Sequence, residues 1–308
     1  MSPTQRIRFR PRPLLAMTLV ALLMTGVGLR TFAGGATNVP NGSKQHGTTT
    51  TTTVPPSDVV VNTAAFTPPR RGCTFDARTP ATKAAPPRPG RCEILEIGDS
   101  LGVDLGYGLY HQMTPPAGVS FVSTAKESTG LVNTNFYNWP LHLRQDLALY
   151  RPHLVIISLG ANDNHSLAVH GESQLFGTRE WRIAYSQRLH QIMTEATASG
   201  AYVLWVGMPI MQNPIFSHDV QIINSLARTV AGQTRGAAYV SVWSVLASPQ
   251  GKYRAGAYVN RVSAGLRGAD GIHVNNVGAG VLATFVTTKV ADIYHVRLAP
   301  AHPMVITG

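Results

Sequence analysis

Cysteine is scarce in this chain, and its scarcity argues against a metal protein. The 308 residues include two cysteines, Cys73 and Cys92, and no histidine lies near either of them in the sequence. Two cysteines this far apart make a poor ligand set for a metal ion. The sequence therefore predicts no metal site, and we expect no cofactor.

Acidic residues are also few: fifteen stand against 26 lysines and arginines, which gives a formal net charge of +11. Residues 1–90 hold eleven basic and two acidic residues, whereas the rest of the chain holds fifteen basic and thirteen acidic ones. No stripe of basic residues with interleaved aromatics occurs. The charge therefore belongs to the N-terminal part, and nucleic acid is not an expected partner.

Residues 1–36 indicate export from the cytoplasm. Arginines between Arg6 and Arg12 precede the apolar run Leu14–Leu29, and small residues follow at Thr31–Ala36. This is the pattern of a signal peptide. The run is long for a cleaved signal and short for a spanning helix; we expect cleavage, with an uncleaved membrane anchor as the alternative. Either case places the protein outside the cytoplasm, secreted or anchored at the cell surface.

Residues 37–90 have the composition of a linker. They include a run of six threonines, Thr48–Thr53, and a proline-rich stretch, Ala85–Gly90. Such segments bury little apolar surface and stay extended. A folded domain over residues 91–298 and a short tail over residues 299–308 complete the predicted organisation.

The two cysteines suit a disulfide in an exported protein. Cys92 begins the first predicted strand of the domain, and Cys73 lies in the preceding linker. Oxidising compartments favour such bonds, so we expect a Cys73–Cys92 disulfide to join the linker covalently to the edge of the domain. Two free thiols are the alternative.

Strand and helix patterns alternate through the folded domain. Five apolar, β-branched runs predict strands at Cys92–Ile97, Val119–Ser123, Leu154–Leu159, Tyr202–Val206 and Ala238–Trp243. Helical patterns fall near residues 103–113, 141–150, 180–199, 218–235 and 277–294. This alternation predicts an α/β protein of three layers, α/β/α, with a parallel five-stranded sheet.

Three segments contain residue types that can together catalyse the hydrolysis of an ester. Ser100 follows the first strand, and Asp270 and His273 lie three residues apart near the C-terminus. A serine can attack a carbonyl when histidine takes its proton and aspartate orients the imidazole. Asn162 follows the third strand, where its amide can donate a hydrogen bond to a developing oxyanion.

These segments resemble the conserved blocks of the SGNH hydrolases, also called GDSL esterases and lipases. The first block matches Gly98–Leu101, the third matches Gly160–Asp163, and the fifth matches Asp270 with His273. The best match for the second block is Gly130. Finer similarities to a bacterial cell-surface branch of the family lie in Ser128–Leu131, Phe136–Pro140 and Trp205–Pro209.

The resemblance covers residues 91–295 and implies both fold and chemistry. It implies a flavodoxin-like sheet and a catalytic triad of Ser100, His273 and Asp270. It also implies an oxyanion hole formed by the backbone N–H groups of Ser100 and Gly130 and the side chain of Asn162.

Two other interpretations of Ser100 compete with this one. Residues 98–102 also fit G-x-S-x-G, the nucleophile elbow of α/β-hydrolases. That fold places several strands before its serine and puts its acid and histidine on separate loops, unlike this chain. The other interpretation is a chance Gly-Asp-Ser turn together with a surface aspartate and histidine, which the joint pattern disfavours.

The expected function is that of an exported serine esterase. It would remove short acyl groups, acetate first, from oxygen esters on cell-surface or extracellular glycans through an acyl-Ser100 intermediate. Phe136, Tyr137 and Trp139 are candidate substrate contacts, with burial in the core as the alternative. Two further alternatives stay open: an O-acyltransferase with the same triad, and a non-catalytic glycan-binding domain.

Overall fold

A central sheet of six strands organises the part of the chain that the structure describes. The computed structural model describes residues 58–62, 92–112, 119–294, 300 and 302–307. The strands of this sheet are β1 (Val59–Asn62), β2 (Cys92–Gly98), β3 (Val119–Ser123), β4 (Leu154–Ser158), β7 (Tyr202–Val206) and β8 (Ala237–Val240). Two hairpins outside the sheet supply the other strands: β5 (Leu167–Val169) with β6 (Glu172–Gln174), and β9 (Gly256–Val259) with β10 (Val262–Gly265).

Five strands of the sheet are parallel, in the spatial order β8-β7-β4-β2-β3. Numbered by their occurrence in the chain, this is the flavodoxin-like order 2-1-3-4-5. The predicted three-layer α/β fold is therefore confirmed. Strand β1 adds an antiparallel edge beside β8. It lies within the segment predicted to be a linker, where a four-residue strand carries too little pattern to stand out from its Thr- and Pro-rich surroundings.

Helices cover both faces of the sheet. They are α1 (Ser100–Gln112), α2 (Trp139–Tyr150), α3 (Arg179–Ala198), α4 (Pro214–Gln233), the short α5 (Trp243–Leu246) and α6 (Asn276–Tyr294). Side chains of β4 alternate between the faces: Val155 and Ile157 pack with α2, α3 and α4, whereas Leu154 and Ile156 pack with α1 and α6. Because both faces of β4 are buried, four of its five residues are apolar.

Helix α6 is long and apolar enough, by length and composition, to cross a membrane. More than half of its apolar window, 56 %, is buried inside the domain, and the helix packs against α1. Burial of that kind is typical of a core helix. The predicted signal peptide or anchor, residues 1–36, lies outside the described residues, and so does Cys73. The Cys73–Cys92 bond therefore stays a prediction.

The predicted C-terminal tail packs against the domain where the structure describes it. Met304 donates its N–H to Thr284 Oγ1 of α6 at 2.9 Å, and Ile306 bridges to Val259 of β9. Residues 302–307 lack a helical or strand period, so their sequence does not reveal this contact.

Candidate active site

Ser100 lies at the turn between the first parallel strand and α1. Strand β2 ends at Gly98, and α1 begins at Ser100 itself, whose side chain is half-buried. A Cβ atom at Gly98 would overlap the carbonyl oxygen of Ser158 and the backbone of Gly102, so only glycine allows this turn. The first N–H groups of a helix lack partners within it and attract negative charge. The turn therefore presents both a hydroxyl group and a backbone donor at the carboxyl edge of the sheet.

Asp99 ties the Ser100 turn to the Gly-x-Asn-Asp turn after β4. One carboxylate oxygen accepts the N–H of Leu101 at 2.9 Å, and the other accepts those of Gly160 and Ala161 at 2.9 and 2.8 Å. Burial raises the pKa of Asp99 to about 6, against the lowering effect of these three hydrogen bonds. With both oxygens occupied by backbone donors, Asp99 is a structural residue.

Asp163 supports the loop that carries Gly130. Its carboxylate accepts the N–H groups of Leu131 and Val132 at 3.0 and 2.8 Å, and the hydroxyl of Tyr185 at 2.8 Å. A Cβ atom at residue 130 would overlap the Asp163 carboxylate, so the loop needs glycine there to come this close.

Arg188 adds to this support, since its guanidinium donates to the carbonyl oxygens of Leu131 and Val132. Tyr185 and Arg188 come from α3, more than fifty residues after the loop. No local motif marks them, and sequence reasoning missed both.

Asn162 lies beside the same loop. Its side-chain amide donates one hydrogen bond to the carbonyl oxygen of Thr129, the residue before Gly130, at 2.8 Å. An amide nitrogen carries two N–H groups. The second is left to bind an oxyanion. The structure thus brings the predicted donors Gly130 and Asn162 together, and Asp99 joins the Asn162 turn to Ser100.

Replacing Asn162 with alanine should slow catalysis rather than weaken substrate binding. A donor in the predicted oxyanion hole would act on charge that develops in the transition state, so kcat should fall about 100- to 1,000-fold with little change in KM. Steady-state kinetics on p-nitrophenyl acetate measure both parameters, and Gln187→Ala, which removes an exposed side-chain amide on α3, is a matched control. A rise in KM at constant kcat would contradict the assignment.

Asp270 and His273 form a close pair in one loop. Asp270 Oδ2 lies 2.6 Å from His273 Nδ1, and Asp270 Oδ1 accepts the N–H groups of Ile272 and His273 at 2.8 and 3.0 Å. Desolvation raises the pKa of Asp270, but the bonds from His273 and the two backbone donors outweigh it and lower the pKa to about 2. An ionised Asp270 holds the proton on Nδ1 and leaves Nε2 free to act as a base.

Two residues hold this loop against the domain. The buried guanidinium of Arg267 donates to Ile272 O at 2.8 Å and to Ile210 O at 2.7 Å. Asp104 Oδ2 accepts the N–H of Val274 at 3.1 Å.

Asp104 lies one helical turn after Ser100, and residues four apart share a helix face. The loop that carries His273 therefore docks on the face of α1 that Ser100 shares. No hydrogen bond joins these two side chains among the described residues, and such bonds commonly tighten only when substrate binds. Sequence reasoning missed both Arg267 and Asp104.

The three predicted substrate-contact aromatics have different environments. Trp139 is fully buried and donates its indole N–H to Thr129 Oγ1 at 3.1 Å, so its prediction as a substrate contact is wrong. Burial of this large ring fixes the Gly130 loop instead. Tyr137 is half-buried and stacks on His142 with ring centroids 4.0 Å apart, whereas Phe136 is 55 % exposed. Phe136 is thus the best placed of the three to meet a ligand.

A buried carboxyl group lies under the Ser100 turn. Glu96, in the middle of β2, is fully buried, accepts a 2.5 Å hydrogen bond from Ser123 Oγ, and points its other oxygen at Gly98 and Gly102. Burial raises the pKa of Glu96 to about 8, although the Ser123 bond opposes the shift. The sequence signal was an acidic residue between the apolar Leu95 and Ile97 of this strand.

Glu96 should make the protein less stable as the pH rises. Below about pH 4.5 the Glu96 carboxyl is protonated in both the folded and the unfolded protein. Above about pH 4.5 the unfolded chain loses this proton, while the folded protein keeps it until about pH 8. The free energy of unfolding therefore falls between these values. Glu96→Gln removes this dependence, so its Tm relative to the wild type should increase from pH 4.5 to 8. Glu93→Gln is the control in the same strand, and a Tm difference independent of pH would contradict the assignment.

The described residues contain no group of three or more histidine, cysteine or acidic side chains that could hold a metal ion.

A flavodoxin-like sheet carries these turns and this loop at its carboxyl edge, an arrangement that resembles the one expected of the SGNH hydrolases. The pattern of the family described as "Protein of unknown function (DUF459)" matches residues 93–289, more than half of the chain, and the chain belongs to that family. No curated protein matches the chain.

Several solved structures are similar to this one. TesA is 20 % identical over 65 % of this chain and 99 % of its own, with a TM-score of 0.44. A GDSL-like lipase from Bacteroides thetaiotaomicron is 13 % identical over 65 % of this chain and 88 % of its own, with a TM-score of 0.44. A psychrotrophic esterase from Pseudoalteromonas sp. is 16 % identical over 64 % of this chain and 96 % of its own, with a TM-score of 0.41. At this distance, function has to be argued from the residues of this chain.

Proposed function

We propose that the protein is an exported serine esterase that hydrolyses short-chain oxygen esters, above all acetyl esters, on glycans outside the cytoplasm. The observation that carries the proposal is the Asp270–His273 pair at 2.6 Å, in a loop that Asp104 holds against the helix of Ser100. An oriented imidazole beside a serine at a helix N-terminus is the arrangement that nucleophilic hydrolysis needs.

The reaction would proceed in two steps. His273 Nε2 takes the hydroxyl proton while Ser100 Oγ bonds to the ester carbonyl carbon, and the N–H groups of Ser100, Gly130 and Asn162 stabilise the oxyanion. Collapse of this intermediate breaks the bond to the alcohol, which leaves with the proton from His273. Water then attacks the acyl-Ser100 ester by the same route, and the acid is released.

Polar loops at the carboxyl edge support a sugar-bearing substrate. Exposed or half-buried polar side chains follow β3, β4 and β7 there: Asn133, Asn135, Asn164, Ser166, Gln212 and Asn213. Amides and hydroxyls of this kind form hydrogen bonds with sugar hydroxyls. A lipid substrate would instead favour a broad exposed apolar rim. The basic and apolar N-terminal segment supports export.

The direct test is acetate release by the purified full-length protein from acetylated xylan and acetylated peptidoglycan, alongside p-nitrophenyl acetate, octanoate and palmitate. We expect the acetate ester to have the highest kcat/KM of the three synthetic esters, together with release from at least one glycan. Preference for palmitate without release from either polymer would overturn the proposal in favour of a lipase. Faster acyl transfer to an added oligosaccharide than to water would instead identify an O-acyltransferase.

A further inference from the structure

An open cleft of about 350 Å³ lies beside the loop that carries Asp270 and His273. It is bounded by the loop after β7, the first turns of α4, α5 and the segment before β9. Its walls combine two half-buried rings with exposed polar side chains: Trp243, Tyr253, Gln212, His218, Gln221 and Lys252. None of these residues belongs to the triad or to the oxyanion hole.

Two contacts connect this cleft to the catalytic loop. The N–H of Gln212 donates to the carbonyl oxygen of Gly271 at 3.0 Å, and the Gln212 side chain lies against Gly271. The Arg267 guanidinium lies 5.0 Å from the centre of the Tyr253 ring and also donates to Ile272 O. The cleft therefore shares its wall with the loop that positions His273. A second cavity, between α3 and α4, is lined by Ile183, Leu226 and Val230 and has no such link.

The cleft has the chemistry of a carbohydrate site. Aromatic rings bind the apolar face of a sugar, while amide groups and an imidazole can bind its hydroxyls as donors or acceptors. No aspartate or glutamate is among the lining residues, whereas Lys252 and His218 are. The site therefore favours neutral or acidic sugars over cationic amino sugars.

We propose that this cleft binds a sugar unit of the glycan whose acyl group Ser100 removes. The inference rests on the proposed esterase function. The bound unit holds the polymer next to the catalytic loop, so an ester on a neighbouring sugar reaches Ser100 at a high effective concentration. A small synthetic ester such as p-nitrophenyl acetate has no sugar and gains nothing from the cleft.

Binding is measured independently of catalysis through Trp243. The chain has four tryptophans, and the other three, Trp139, Trp181 and Trp205, are buried with exposures of at most 1 %. Quenching of fluorescence by acrylamide therefore reports mainly on Trp243. In full-length Ser100→Ala, xylotetraose or chitotetraose should reduce this quenching, and tetraglucosamine should not. If neither neutral oligosaccharide changes the quenching, the inference is wrong, whatever the esterase assays show.

A blocking variant tests the link to catalysis. Gln221→Phe adds bulk at the exposed rim of the cleft, and the control Ser225→Phe adds it one turn further along α4, outside the lining. Gln221→Phe should weaken oligosaccharide binding and lower kcat/KM on acetylated xylan at least about tenfold, which corresponds to about 1.4 kcal/mol.

Hydrolysis of p-nitrophenyl acetate by Gln221→Phe should stay within about twofold of the wild type, because the change leaves the triad alone. Equal losses on both substrates, or none on xylan, would overturn the inference. A wild type inactive on both esters would refute the proposed function alone, since the quenching measurement would still decide the cleft.

Discussion

Ser100→Ala should reduce ester hydrolysis by about four to six orders of magnitude while the domain stays folded. In the proposed mechanism the hydroxyl forms the bond to the acyl group, and the alanine side chain cannot form it. The fold should persist because the Ser100 turn is held by Asp99, through its bonds to Leu101, Gly160 and Ala161, rather than by the serine hydroxyl.

The measurement is kcat on p-nitrophenyl acetate, with circular dichroism and Tm as folding checks. Ser225→Ala, an exposed serine in α4, is the matched control and should retain full activity. Substantial activity in a folded Ser100→Ala protein would show that another group is the nucleophile. A burst of p-nitrophenol in the wild type, absent from the variant, would support the acyl-enzyme step.

Asp270→Asn should lower kcat by about four orders of magnitude through the imidazole tautomer. Asparagine can keep an oxygen for the N–H groups of Ile272 and His273, so the loop should stay in place. Its amide nitrogen then faces His273 Nδ1 as a donor, and Nδ1 must give up its proton to accept that bond. The proton moves to Nε2, which can no longer act as a base toward Ser100.

The same pair makes a prediction about pH. With its pKa lowered to about 2, Asp270 is ionised throughout the range from about pH 4 to 9. Asp270 should therefore contribute nothing to the pH dependence of kcat/KM in this range. Asp292→Asn, which alters an exposed carboxylate on α6, is the control, and an unchanged kcat in Asp270→Asn would contradict the tautomer argument.

Much of the fold could be predicted because its signals are local. The five parallel strands fall within three residues of their predicted ends, since runs such as residues 154–157 are buried on both faces and are therefore apolar. Strand β1 was not predicted. Its four residues form a strand by pairing with β8, almost 180 residues further along the chain, and no local pattern predicts that pairing.

The candidate site divides in the same way. Ser100, Asn162, Asp270 and His273 lie in short motifs, each following a strand or preceding a helix, and the sequence sufficed to select them. Trp139 had the same local context as Phe136, yet one ring is fully buried and the other is 55 % exposed. A side chain's exposure depends on what packs against it from elsewhere, which neighbouring residues do not specify.

The sequence by itself determined where the candidate site residues lie relative to the strands. A serine follows the first parallel strand, an asparagine follows the third, and an aspartate and a histidine share one loop near the C-terminus. Periodicity and short motifs are encoded by residues close together in the chain. Only the tertiary structure decided how these segments are held. Asp99, Asp163 with Arg188, and Arg267 with Asp104 each bridge segments that are distant in sequence. Such bonds form only after the sheet has brought the carboxyl ends of its strands together, so no local pattern predicts them.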